Sequence, residues 1–212
     1  MNQRVRGPLR AVLSVVLCLV ALPVLLVVGL FVWYGVDKAT GEDFERVRPA
    51  DMARRATDRS QEMYEASGLT RPLGTTRWNG DHGAAANSLG SESCYPRGIE
   101  GIEDTPEPGS YRLFHEWRLD AVGEAEGRAA LDRLHARLEK TGWTIDGHRK
   151  SGDDWELRAS KGHDDRLVFT WWSHWKTLEG FTGMPCAYAP DGTEGSEAAD
   201  DLTPPALRPA QR

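Results

Sequence analysis

Apolar and polar positions divide this 212-residue chain into three stretches. Residues 11–36 form an apolar run without a single charged side chain. As an α-helix the run would reach ~39 Å, beyond the ~30 Å hydrocarbon core of a bilayer, so it predicts a transmembrane helix. A cleavable signal peptide would carry an apolar stretch of about 7 to 15 residues followed by small residues at the cut. Here Phe31, Val32, Trp33 and Tyr34 fill those positions. Cys18 lacks a lipid-attachment context, because Leu17 precedes it and the apolar run continues well past it. Arg4, Arg6 and Arg10 precede the run, whereas Asp37, Glu42 and Asp43 follow it. That asymmetry predicts a cytoplasmic basic N-terminus over 1–10 and a chain that crosses the membrane once, with everything after the span extracytoplasmic.

After a polar connector at 37–49, the pattern predicts a folded domain over 50–189. Met52, Ala53, Ala56 and Met63 recur at helical spacing, and Gly68 supplies a stop, so a helix is expected from Ala50 to Gly68. A short strand is expected at 75–78, and residues 79–110, rich in Gly, Ser, Glu and Pro, read as an irregular connection. Tyr111, Leu113, Trp117 and Leu119 alternate with Arg112, Glu116, Arg118 and Asp120, the signature of a half-buried strand. The same alternation turns His115 toward the side of Leu113 and Trp117. From Glu124 to Thr141 the period becomes helical, with Ala130, Leu131, Leu134 and Leu138 in one stripe and Gly142 as the stop.

Three further strands are expected around Trp143 and Ile145, around Trp155, Leu157 and Ala159, and around Leu167, Phe169 and Trp171. The segments Gly147 to Asp154 and Lys161 to Asp165 read as hairpin connections. The order strand, helix, strand, strand, strand predicts an α+β domain of two layers, a mostly antiparallel sheet with one or two helices on one face. Beyond Pro190 apolar bulk nearly vanishes, so residues 190–212 are expected to be a disordered tail.

Charge narrows the partners. The first 36 residues hold three Arg and no acid, which leaves 23 basic against 32 acidic side chains in the remainder, a formal charge of −9. Nucleic acid is disfavoured, because its phosphates would be repelled. The expected partners are the lipid bilayer through residues 11–36 and an envelope protein or cell-wall component. Cys94 and Cys186 are the two cysteines beyond the span, and an even count in an oxidising compartment predicts a disulfide between them.

Candidate chemistry is sparse. Ser173-His174-Trp175-Lys176 fits S-x-x-K and Lys140-Thr141-Gly142 fits K-T-G, but the order is reversed relative to penicillin-binding serine enzymes and Gly142 is explained as a helix stop. None of the six histidines has the spacing of a metal site. No catalytic, cofactor-binding or metal-ligating set is expected, and no cofactor. Trp171, Trp172 and Trp175 cluster near the end of the last expected strand; Trp172 and Trp175, with His115, are the candidate binding surface.

The stretch L-x-R-L-x-x-x-L-x-x-x-G-W from Leu131 to Trp143, set in an acidic exported domain behind an anchor and ahead of a late Cys, resembles small membrane-anchored or lipoprotein-like proteins of high-GC Gram-positive bacteria. The resemblance covers 111–186 and implies location and fold class without carrying over any site residue. The expected function is that of a single-span envelope protein with an extracytoplasmic binding or structural domain. The alternative is an envelope enzyme acting on a cell-wall or lipid-linked substrate, with His115 and a neighbouring carboxylate as its polar centre.

Overall fold

The computed structural model describes residues 22–32, 43–96, 105–162, 165–190 and 197–211. The expected basic N-terminus, most of the expected span 11–36 and the first part of the connector lie outside these. Within the span, residues 22–32 form a helix, α1, whose Leu22, Leu25 and Phe31 are exposed. Among the described residues no helix is long and apolar enough to cross a membrane.

From Phe44 onward the described chain is an α+β body. A two-residue strand, β1 (Glu45–Arg46), precedes α2 (Pro49–Ser67). Pro49 suits the first helical turn, because its fixed φ is helical and the missing N–H would find no partner there. At the other end Gly68 takes φ +70°, a left-handed conformation that costs glycine little, and its N–H bonds to the Glu65 carbonyl. The second long helix, α3 (Glu124–Lys140), buries Ala130, Leu131, Leu134 and Leu138 on one stripe. Both helices form where the 3.6-residue period predicts them.

The remaining strands are β2 (Ala86–Glu92), β3 (Ser110–Leu119), β4 (Thr144–Ser151), β5 (Asp154–Lys161), β6 (Asp165–Trp172), β7 (Thr177–Gly183) and β8 (Ala187–Tyr188). They lie in the order β1-β8-β3-β7-β6-β5-β4, with β2 added on the other flank of β3. Every pair is antiparallel except β1 with β8. Both α2 and α3 pack on one face, which bears Leu113, Trp117, Leu119, Leu157, Leu167, Phe169, Trp171 and Leu178, all of them buried.

Four strands, β1, β2, β7 and β8, are absent from the sequence reading; the strand expected at 75–78 is reduced to a single bridge between Thr76 and Asn87, and the tail also differs. The sequence does not signal the central strand β7, because Gly180 and Gly183 interrupt its alternation. Gly180 lies directly opposite Trp117, and a Cβ there would sit 2.3 Å from Trp117 Cε2; the indole occupies the volume a side chain would need. In β2 the sequence ANSLGSE is polar, yet it pairs with β3 along its whole length. The tail expected to be disordered packs on the body over residues 197–211. Leu207 is fully buried and bridges Leu73, Ala198 and Ala199 are buried, and the Pro205 carbonyl accepts from Asn87 Nδ2 at 2.9 Å. One buried leucine and a few backbone bonds suffice where the tail can run between α2 and the β2 edge.

The expected Cys94–Cys186 disulfide is present. It joins the chain leaving β2 to the connection between β7 and β8, so it ties together the two segments that flank β3. Its partners are 92 residues apart, a separation for which loop closure is worth about 4 to 5 kcal/mol in the chain-entropy account.

Leu207→Ala is expected to lower stability by about 2 to 4 kcal/mol, the range for a buried leucine. Urea unfolding followed by tryptophan fluorescence checks this; a change below about 0.5 kcal/mol would mean that the tail does not pack on the body.

Candidate functional site

The sheet face turned away from α2 and α3 is not covered by any described helix. Strand pairing aligns its side chains in two rows. One runs Ser88, Glu116, Phe181, Val168 and Arg158, and the next runs Ala86, Arg118, Glu179, Thr170 and Glu156. A groove of about 250 Å³ follows these rows and is walled by Trp78 and His82 from the loop before β2. The rings continue outward: His82 stacks on Trp175 at 4.8 Å, and Trp175 meets Trp172 edge-on at 5.5 Å. Trp78 and Trp175 are 45% and 38% exposed, far more than the core indoles.

The three carboxylates of these two rows have different surroundings. Glu156 is held by Arg158 at 2.8 Å and by Arg149 at 3.3 Å. Burial pushes its carboxyl up, but the hydrogen bonds and charges of the two arginines outweigh that and keep it below the usual range. Glu179 is paired with Arg118, whose Nη1 also donates to the Asp81 carbonyl at 3.1 Å and whose guanidinium lies over the Trp78 ring at 5.7 Å. Glu116 has no hydrogen-bonded or ion-paired partner among the described residues. Its side chain is open to solvent, yet the groove walls strip enough water from it to raise its carboxyl; Glu179 raises it further, and Arg118 opposes both.

The sequence candidates separate on the structure. Trp175 is exposed and Trp172 half-buried beside it, both contiguous with the groove through His82. His115 does not belong to any surface: it is fully buried, and its Nε2 lies 2.6 Å from Asn87 Oδ1. Because Asn87 Nδ2 donates to the Pro205 carbonyl, Asn87 Oδ1 is the acceptor and His115 Nε2 carries the hydrogen. Its Nδ1 has no partner among the described residues. Protonating that nitrogen would bury an unpaired charge, and burial accordingly lowers the pKa to about 4. No carboxylate bonds to His115 among the described residues, so the alternative of an enzyme built on it loses its polar centre.

The two halves of the serine-enzyme motif lie in separate turns. Ser173 to Lys176 form the turn between β6 and β7, and Thr141-Gly142 close α3. His135 and His148 stack on each other at 4.8 Å, and His163 lies outside the described residues. No group of three or more His, Cys, Asp or Glu side chains is placed to hold a metal ion among the described residues. The sequence reading passed over Trp78 and Glu116. The available signal was that Glu116 and Arg118 occupy the outward positions of a strand that proved central.

His115 also makes stability depend on pH. The unfolded chain takes up a proton near pH 6.5 and the folded one only near 4, so stability is complete above 6.5 and falls as the medium is acidified between those values. At pH 5 the loss from this one residue is about 2 kcal/mol. Comparing urea unfolding at pH 7.5 and 5 in the native chain and in His115→Gln should show that increment vanishing in the variant.

No protein family, no curated protein and no solved structure matches this chain, and the reading of the site rests on its own geometry.

Proposed function

We propose that this chain is a single-span envelope protein whose exported α+β domain binds another envelope component through the open face of its sheet. The observation that carries the binding role is the ring-walled groove of Trp78 and His82 above Glu116, on the face opposite the helices. Exposed tryptophans beside shielded polar groups are the composition of sites that hold partners, because an indole brings large apolar area with little entropy to lose. Location is supported by the apolar run at 11–36 behind three arginines, and by the Cys94–Cys186 bond, which persists in oxidising compartments. The bilayer is then a partner through residues 11–36.

Intact cells treated with a membrane-impermeant maleimide should label Cys94 and Cys186 only after a reductant is added, and a reporter fused after Arg212 should be active outside the cytosol. Free labelling without reductant would defeat the disulfide, and no labelling even after reduction, or a fusion active only inside, would defeat the placement. For the binding role, a photo-crosslinking residue at His82 in native membranes should give a discrete adduct that the same residue at Ala125, exposed on α3, does not. Equal adduct patterns at the two positions would remove the groove from the function.

A further inference from the structure

We propose that the groove on the open sheet face is a binding site for an alkylammonium group, such as a lysine-type side chain on a peptide, with the ammonium on Glu116 and its apolar stem against Trp78 and His82. The proposal rests on the reading of this face as the binding surface and adds the chemistry of what it takes.

The donor and acceptor inventory of the groove selects the ligand. Arg118, the one cation on the floor beside Glu116, already donates to Glu179 and to the Asp81 carbonyl while it covers one face of Trp78. Its charge offsets that of Glu179, which leaves one uncompensated negative charge, and that charge sits on Glu116. The free polar capacity of the floor is therefore mainly acceptor and anionic, and a ligand that only donates and carries positive charge fits it. A carboxylate or phosphate would meet Glu116 with like charge.

The walls point the same way. Trp78 and His82 meet at 5.4 Å, and His82 stacks on Trp175, so the rim presents indole faces in the same groove as the carboxylate. Such faces attract cations, and they do so more strongly where water is thinned out. Shielding and the neighbouring Glu179 both work against the charge on Glu116 in the empty groove, and an ammonium placed there would relieve both. Ser88 and Thr170 add two hydroxyls to the lining. A sugar ring, the other ligand class that stacks on indoles, would need several donors from the protein, and the strongest donor of the groove is already engaged.

The test uses the full chain in detergent micelles, with Nα-acetyl-lysine methylamide as probe, its Nε-acetylated counterpart as the neutral control and chitobiose as the sugar. Calorimetry and tryptophan fluorescence should show saturable binding of the lysine derivative and none of the neutral amide. Glu116→Gln, a change at an exposed position that leaves the fold intact by circular dichroism, should weaken binding by about tenfold or more, as loss of a charge-assisted bond requires. Trp78→Ala should weaken it as well. Equal binding of the neutral amide, tighter binding of chitobiose, or unchanged lysine binding in Glu116→Gln would overturn the proposal. A His82 crosslink in native membranes that persists in Glu116→Gln would likewise overturn it while leaving the groove a docking face. Saturable, Glu116-dependent binding of the lysine derivative without any crosslink would support the site and count against the envelope partner.

Discussion

Trp117 and Trp171 fill the gap between the sheet and its helices, and each does so against a glycine. A Cβ on Gly180 would lie 2.3 Å from the Trp117 ring, and one on Gly127 would lie 2.2 Å from Trp171 Cδ1. Trp117 also meets Tyr64 of α2 edge-on at 5.1 Å, and Trp171 Nε1 donates to the Val122 carbonyl at 2.9 Å. The two rings thereby fix how closely α2 and α3 approach the strands. Tyr64 is held in the same layer; burial pushes its hydroxyl up to about 12, with Arg71 opposing, and the hydroxyl donates to the Arg71 carbonyl. With the fully buried apolar side chains gathered on one face, the other keeps polar side chains and the half-buried Phe114, Phe181 and Val168, and there the groove forms.

Elements whose signal is carried by their own side chains were legible in the sequence. The stripe of α3, the alternation of β3 and the paired strands β5 and β6 each announce themselves by periodicity, and the α+β class follows from their order. Elements stabilised by their neighbours were not. β7 is central because Trp117 supplies the bulk that Gly180 lacks, and β2 pairs through its backbone while Phe114 covers Gly90. The tail reads as polar and Pro-rich, yet Leu207, Ala198 and Ala199 are buried against the body and backbone carbonyls of Pro204, Pro205 and Arg208 accept bonds from it. A single-chain pattern has no term for volume contributed by a partner strand.

The site shows the same division. Alternation correctly turned His115 inward, but the sequence could not show that Asn87, 28 positions earlier, meets it there. Glu116, Glu156 and Glu179 look alike as outward strand residues. Register gives Glu179 its partner Arg118 and Glu156 its partner Arg149 from neighbouring strands, Glu156 adds Arg158 of its own strand, and Glu116 is left without one among the described residues. Trp78 gains its meaning from the loop that brings it over Arg118.

The strand order also bears on biogenesis. β3 lies between β2 and β7, but β7 is the later by more than fifty positions in the chain, with α3 and three strands between them. A chain that emerges N-terminus first can form the β2–β3 ribbon early, and the free edge of β3 and the greasy side of the ribbon stay open until residues 177–183 arrive. Such an edge is a template for joining other chains. The meander β4-β5-β6-β7, by contrast, assembles from neighbours joined by short turns. Cys186 follows β7 immediately, so oxidation seals the ribbon between its flanks only once the edge has been covered.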